Sequence, residues 1–159
     1  MGASKVQRVT INVPTKLTAK QRLALSAEII DFIRKRSDKS LDKDNQKFAA
    51  YSKEYKQFKG SSKVDLKLSG DMLAAMYAIW NKPGKIRIGF DSGQENDRAE
   101  GNILGTYGQP TPIPGKKRDF LGIHPSDLKN IIKKVETVTD KGLAAAIARS
   151  LTVKDVREK

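Results

Sequence analysis

The stretch 17–36 sets what the rest of this chain must build. Thr18 and Gln21 stand at capping-box spacing, and Leu25, Ile29, Ile30, Phe32 and Ile33 follow at helical intervals up to the basic run Arg34-Lys35-Arg36. A helix with one apolar stripe must bury that stripe against another element. Its basic end suits the negative pole of the helix dipole, so the Arg-Lys-Arg run needs no ligand to explain it. The second constraint is Lys85-Ile86-Arg87-Ile88-Gly89-Phe90, where Ile86, Ile88 and Phe90 alternate with Lys85, Arg87 and Gly89 as in a half-buried strand. Helix and strand together predict an α+β fold, a small mixed or antiparallel sheet packed against a few helices, with extended arms and a long central loop.

The remaining segments fit around these two. Residues 6–13 are rich in β-branched side chains and suit a strand, an extended arm or a disordered lead-in before Pro14. Residues 37–50 interleave Asp38, Asp42 and Asp44 with lysines and read as exposed loop. Aromatics at 48, 51, 55 and 58 keep a 3, 4, 3 spacing that lines one helix face. Packing on a core explains that stripe better than base stacking, which usually uses sheets or grooves. Val64, Leu66 and Leu68 alternate as a short extended lead-in. Ser69 is then expected to cap a helix carrying Met72, Leu73, Met76, Tyr77 and Trp80, ahead of a turn at Asn81-Lys82-Pro83-Gly84. A further helix is expected near 94–104, a breaker-rich loop over 105–115, a short strand over 119–123 and a helix after Pro125 with Leu128, Ile131, Ile132 and Val135 on one face. The organisation is then an N-terminal arm or strand (1–16), one domain (17–139) and a C-terminal helix with a charged tail (140–159).

Charge narrows the function. The 159 residues carry 31 Lys and Arg against 18 Asp and Glu, a formal net charge of +13, which favours phosphate-rich or acidic partners. The absence of cysteine removes disulfides, thiol nucleophiles and cysteine-based zinc sites, and a single histidine, His124, cannot form a polyhistidine metal site. No apolar run reaches the roughly 18 residues of a membrane span, and no signal-peptide core precedes residue 24, so a soluble intracellular protein is expected. Counted from Asp38 or Asp42, an EF-hand loop lacks its glycine, and neither a nucleophile elbow nor a phosphate-binding glycine loop is found. The acidic residues of 91–100 show no paired spacing with a catalytic lysine, and His124 at a helix start reads as structural. No cofactor and no catalytic or metal site is expected.

The order of short motifs carries more. Tyr51-Ser52, Tyr55-Lys56 and Lys59-Gly60 are followed by Val64-Asp65-Leu66, then Ser69-Gly70-Asp71-Met72-Leu73, then Arg118-Asp119-Phe120-Leu121-Gly122-Ile123 before a helix. This series resembles the tailed-bacteriophage neck and tail-completion proteins, a group that includes those labelled virion morphogenesis proteins. The resemblance covers roughly residues 45–135. The chain departs from it where related sequences carry a "His-x-x-Gly" segment, having Gly101-Asn102-Ile103-Leu104-Gly105-Thr106-Tyr107-Gly108 instead.

The resemblance implies a non-enzymatic structural protein of the virion, made in the bacterial host cytoplasm. It would form a ring of identical subunits, typically a hexamer, at the head-tail junction. Its partners would be the connector or head-completion proteins, the tail-terminator or tail-tube proteins and the double-stranded DNA in the lumen, with no membrane involved. On this reading Arg118, Phe120 and Leu121 fix the elements that carry the ring interface, while Tyr51 and Tyr55 join the 72–80 stripe in the subunit core. Lys116 and Lys117, with Lys85 and Arg87, are the expected contacts to DNA or an adjacent ring. The duplex enclosed by a subunit of this size presents about 24 phosphates, so most of a hexamer's positive charge has to face acidic proteins or solvent. The alternative is a basic, non-enzymatic nucleic-acid-binding module using Lys5, Arg8, residues 34–36 and residues 116–118 as phosphate contacts. A small metal-dependent nuclease is a third class, which the residues do not advertise.

Overall fold

A computed structural model of the chain describes residues 5–48, 57, 71–106 and 117–150. Among these, five helices accompany one three-stranded antiparallel sheet, so the fold is α+β. Helix α1 spans Ala19–Asp38 and opens with the expected capping box. The Thr18 hydroxyl accepts from Gln21 N at 3.1 Å, and the Gln21 side chain accepts from Thr18 N at 2.8 Å. Residues 24–30 of α1 are all buried, more than one amphipathic stripe would produce. The helix is covered on two sides, by the sheet and by a C-terminal pair of helices, α4 (Pro125–Thr137) and α5 (Asp140–Ser150). Ala24, Ser26 and Ala27 are small enough to allow that double cover, and the Ser26 hydroxyl is satisfied by Arg22 O at 2.9 Å.

The sheet holds β1 (Arg8–Asn12), β2 (Tyr77–Lys82) and β3 (Lys85–Gly89) in the order β1-β3-β2, which makes the most clearly alternating strand the central one. Ile86 and Ile88 face the core opposite Ile11 and Val9 of β1. The N-terminal segment is therefore a sheet strand over residues 8–12, and because β3 is paired on both sides, its Lys85 and Arg87 are not edge protection.

Two expected elements differ from those observed. The helix expected over 69–80 is a single turn, α2 (Asp71–Ala74), after which the chain enters β2. Tyr77, Ile79 and Trp80 are β-formers directly ahead of a Pro83-Gly84 turn, and pairing with β3 at Tyr77, Ala78 and Trp80 holds the segment in a hairpin. Gly84 supplies the positive φ of 82° at that turn. A register shift between Ala78 and Trp80 breaks the strict alternation, which is why the apolar run also matched helical offsets. The second difference lies at 119–123, which forms no strand, because its backbone groups are taken by side chains and loops as described below. The helix expected near 94–104 is present as α3 (Gln94–Leu104) and ends on Gly105 in the left-handed region, φ 75°. The aromatic segment after Phe48, with Tyr51 and Tyr55, the lead-in at 64–68 and most of the breaker-rich loop, with Lys116, lie outside the described residues.

Candidate functional site

Two constellations carry the chemistry. The first is a clamp at the C-terminal end of α1. Counting along that helix, Arg36 follows Ile29 by seven residues and Ile33 by three, which brings it round to the buried side. It is only 3% exposed. Nη2 donates to Phe120 O at 2.5 Å and Nη1 to Gly122 O at 2.8 Å, while Nε is buried without a hydrogen-bond partner. The guanidinium also lies over the Phe32 ring, 5.8 Å from its centroid. Burial pushes Arg36 down to about 10, against the opposing pull of Asp42, Asp127, Asp119 and Asp44. The group therefore stays cationic at neutral pH.

The same stretch is held at other points. Arg118 N donates to Asn102 O at 2.6 Å, and Lys43 N donates to Asp119 O at 2.9 Å, with the Lys43 and Asp119 side chains 3.4 Å apart. Phe120 is fully buried and meets Phe90 edge to face, with centroids 6.1 Å apart. Arg118 and Leu121 are buried too. Three of the expected interface residues, Arg118, Phe120 and Leu121, thus lie inside the subunit, where they fix the path of the chain into α4. His124 then caps α4, its Nδ1 accepting from Ser126 N at 3.2 Å.

The second constellation is the outer face of the sheet. Registry places Arg8 beside Gly89, Thr10 beside Arg87 and Asn12 beside Lys85 on the β1 side, and Trp80 and Lys82 opposite Arg87 and Lys85 on the β2 side. Ile86 and Ile88 point inward, so Lys85 and Arg87 project outward from the middle strand. Lys85 is exposed, and the half-buried Arg87 is steadied by Nε donation to the Thr10 hydroxyl at 3.1 Å. Arg8 at one end approaches Asp91 at 4.0 Å, and Asp91 also accepts from the Tyr77 hydroxyl. The result is a basic strip centred on β3. Lys117 is exposed on a separate segment, at the start of the clamped stretch.

The basic cluster of α1 does not belong to that strip. Arg34 donates from Nε to Leu73 O at 3.1 Å and from Nη2 to Ala74 O at 3.2 Å and Met76 O at 3.1 Å. Like Arg36 it ties carbonyls of distant segments, which the dipole account of the Arg-Lys-Arg run missed. The spacing from Ile29 and Ile33 was the signal that could have separated Arg36 from a solvated base. Among the described residues, no group of three or more His, Cys, Asp or Glu is placed to hold a metal ion, and no helix is long and apolar enough to cross a membrane.

Comparison with protein-family models, curated proteins and solved structures finds no match.

Proposed function

We propose that this chain is a structural virion protein that forms a ring at the head-tail junction of a tailed bacteriophage, joining connector to tail around the DNA channel. The motif order between residues 45 and 135 supports this reading. The observation that carries it is the clamp of Arg36 on the carbonyls of Phe120 and Gly122. It gives the motif Arg118-Asp119-Phe120-Leu121-Gly122 a physical role as a buried anchor, spending the motif's side chains on positioning α4 at the subunit surface. A ring needs this, since every copy must present the same outward flank at the same angle.

On this proposal Lys85 and Arg87, with Lys117, supply a modest basic lining, weak enough for DNA to pass. The 101–117 segment, with Lys116 and Lys117, is on this proposal the contact to an adjacent ring or DNA, and deleting residues 105–115 tests that assignment. The subunit should stay folded while heads and tails fail to join, and normal infectious particles from the deletion would reject the loop assignment.

The strip of Arg8, Lys85 and Arg87 on one sheet face favours a second reading, a free nucleic-acid-binding module. Such a module would bind DNA as an isolated monomer, with affinity falling linearly against salt on logarithmic axes, whereas a neck component would bind weakly and self-assemble or dock on a connector.

A further inference from the structure

Copies of a chain with net charge +13 repel one another, so a ring of them needs some surface of opposite sign on each copy. Helix α3 offers one. Residues 91–100 hold Asp91, Glu95, Asp97 and Glu100 with Arg98 as their sole basic neighbour. On α3, Asp97, Glu100 and Leu104 stand at i, i+3 and i+7 and therefore share one flank. Leu104 is 40% exposed, the one large apolar side chain among the described residues left in solvent to that degree.

Helix α4 carries the complementary pattern. Of its thirteen residues, only Val135 is fully buried. Ile132 is half-buried, and on its outward side lie Lys129 and Lys133, both exposed and one turn apart. Lys134, by contrast, turns back to Glu28 of α1 at 3.1 Å and serves the subunit's own packing. The two helices are seated on different parts of the molecule. α3 packs on α2 and receives the lead-in to β1 through Asn96 and Glu100, whereas α4 packs on α1. One copy can offer both flanks at once.

We propose that the α4 flank of Lys129, Ile132 and Lys133 docks on the α3 flank of Asp97, Glu100 and Leu104 of a second copy, head to tail. This rests on the ring reading and names its contact. One turn separates the two lysines and slightly less than one turn the two carboxylates, so the charges can meet pairwise while Ile132 and Leu104 are removed from water together. A symmetric contact of α4 with α4 would set lysines against lysines. The contact joins two different surfaces, so its repetition generates a ring when the rotation closes.

Charge reversal tests it. The variant Lys129→Glu/Lys133→Glu should lose self-association in sedimentation velocity while keeping the wild-type helical circular-dichroism signal and melting temperature. The variant Asp97→Lys/Glu100→Lys should lose it while keeping the helical signal, its melting temperature lowered only by loss of the bond from Lys5 N to Glu100. An equimolar mixture of the two should assemble again, because every junction then pairs opposite signs. Assembly of either variant like the wild type, or a mixture that stays monomeric, would overturn the contact and leave the ring reading standing. A wild-type chain that remains monomeric over a full concentration series would remove the ring reading as well. Since the chain has no cysteine, Leu104→Cys with Ile132→Cys adds a second measurement. Oxidation should give a ladder of covalent oligomers from the double variant only, and a covalent dimer from either single variant would show a symmetric contact instead.

Discussion

The Arg36 guanidinium donates to the carbonyl oxygen of Phe120 at 2.5 Å, across 84 residues of sequence. With the second bond to Gly122 it does for the 118–122 stretch what a neighbouring strand would otherwise do, supplying donors to carbonyls that have no ladder partner. A planar fork with fixed donors can reach both oxygens from one side chain, which an ammonium cannot.

Replacing Arg36 by Met should therefore destabilise the fold by about 2–6 kcal/mol, from two buried carbonyls left without a donor at roughly 1–3 kcal/mol each. Lysine should recover less than half of the loss. The denaturant midpoints of the three proteins check this, and a lysine variant as stable as the wild type would show that the fork geometry does not matter.

Arg36 also has an alkaline signature. Up to about 10 it is charged in both the folded and the unfolded chain and contributes no pH dependence. From about 10 up to the ordinary arginine range the unfolded chain retains the proton more often than the folded one, so this group's contribution to stability rises with pH over that window. The stability gap between wild type and Arg36→Met should be flat from neutral pH to about 10 and should widen above it. A gap that narrows there would mean that the clamp favours the charged form.

The junction of β1 and β3 makes a separate demand. Gly89 pairs with Arg8, and a Cβ at Gly89 would lie 2.8 Å from the Arg8 Cα and closer still to Gln7 O, backbone atoms that cannot swing aside. Gly89→Ala should cost about 1–3 kcal/mol, the usual penalty of overpacking. It should also raise the hydrogen-exchange rates of the Val9 and Ile11 amides selectively, and uniform protection across the sheet would show that β1 had moved as a unit without strain.

Strong local periodicity accounts for what could be read from residues alone. The Thr18 capping box and the Ile86 and Ile88 alternation each repeat a spacing that only one element satisfies, and both elements are observed. Tyr77 and Trp80 failed because a short apolar run fits both periods, and only the partner strand β3 settles which one holds. Residues 119–123 failed differently. Their hydrogen-bond partners are Arg36 and Lys43, which lie far off in sequence and are basic, so they first read as surface. For the candidate site, the outward aim of Lys85 and Arg87 was legible from alternation, whereas the burial of Arg118, Phe120 and Leu121 depends on that long-range clamp.

The sheet strip leads to the last prediction, which concerns DNA. Each lysine or arginine that neutralises a phosphate adds roughly 0.9 to the slope of log affinity against log salt on duplex DNA. If Lys85 and Arg87 each meet one phosphate, the double variant Lys85→Ala/Arg87→Ala should bind duplex DNA more weakly and with a slope shallower by about 1.8. Arg87→Ala alone should shift the slope by about half of that and should also free the Thr10 hydroxyl, with little effect on the melting temperature, because a part-exposed pair of this kind contributes little to stability. Fluorescence anisotropy across a salt series measures both slopes. An unchanged slope in the double variant would move the phosphate contacts off β3, leaving Lys117 and the residues beside it as the basic surface to examine.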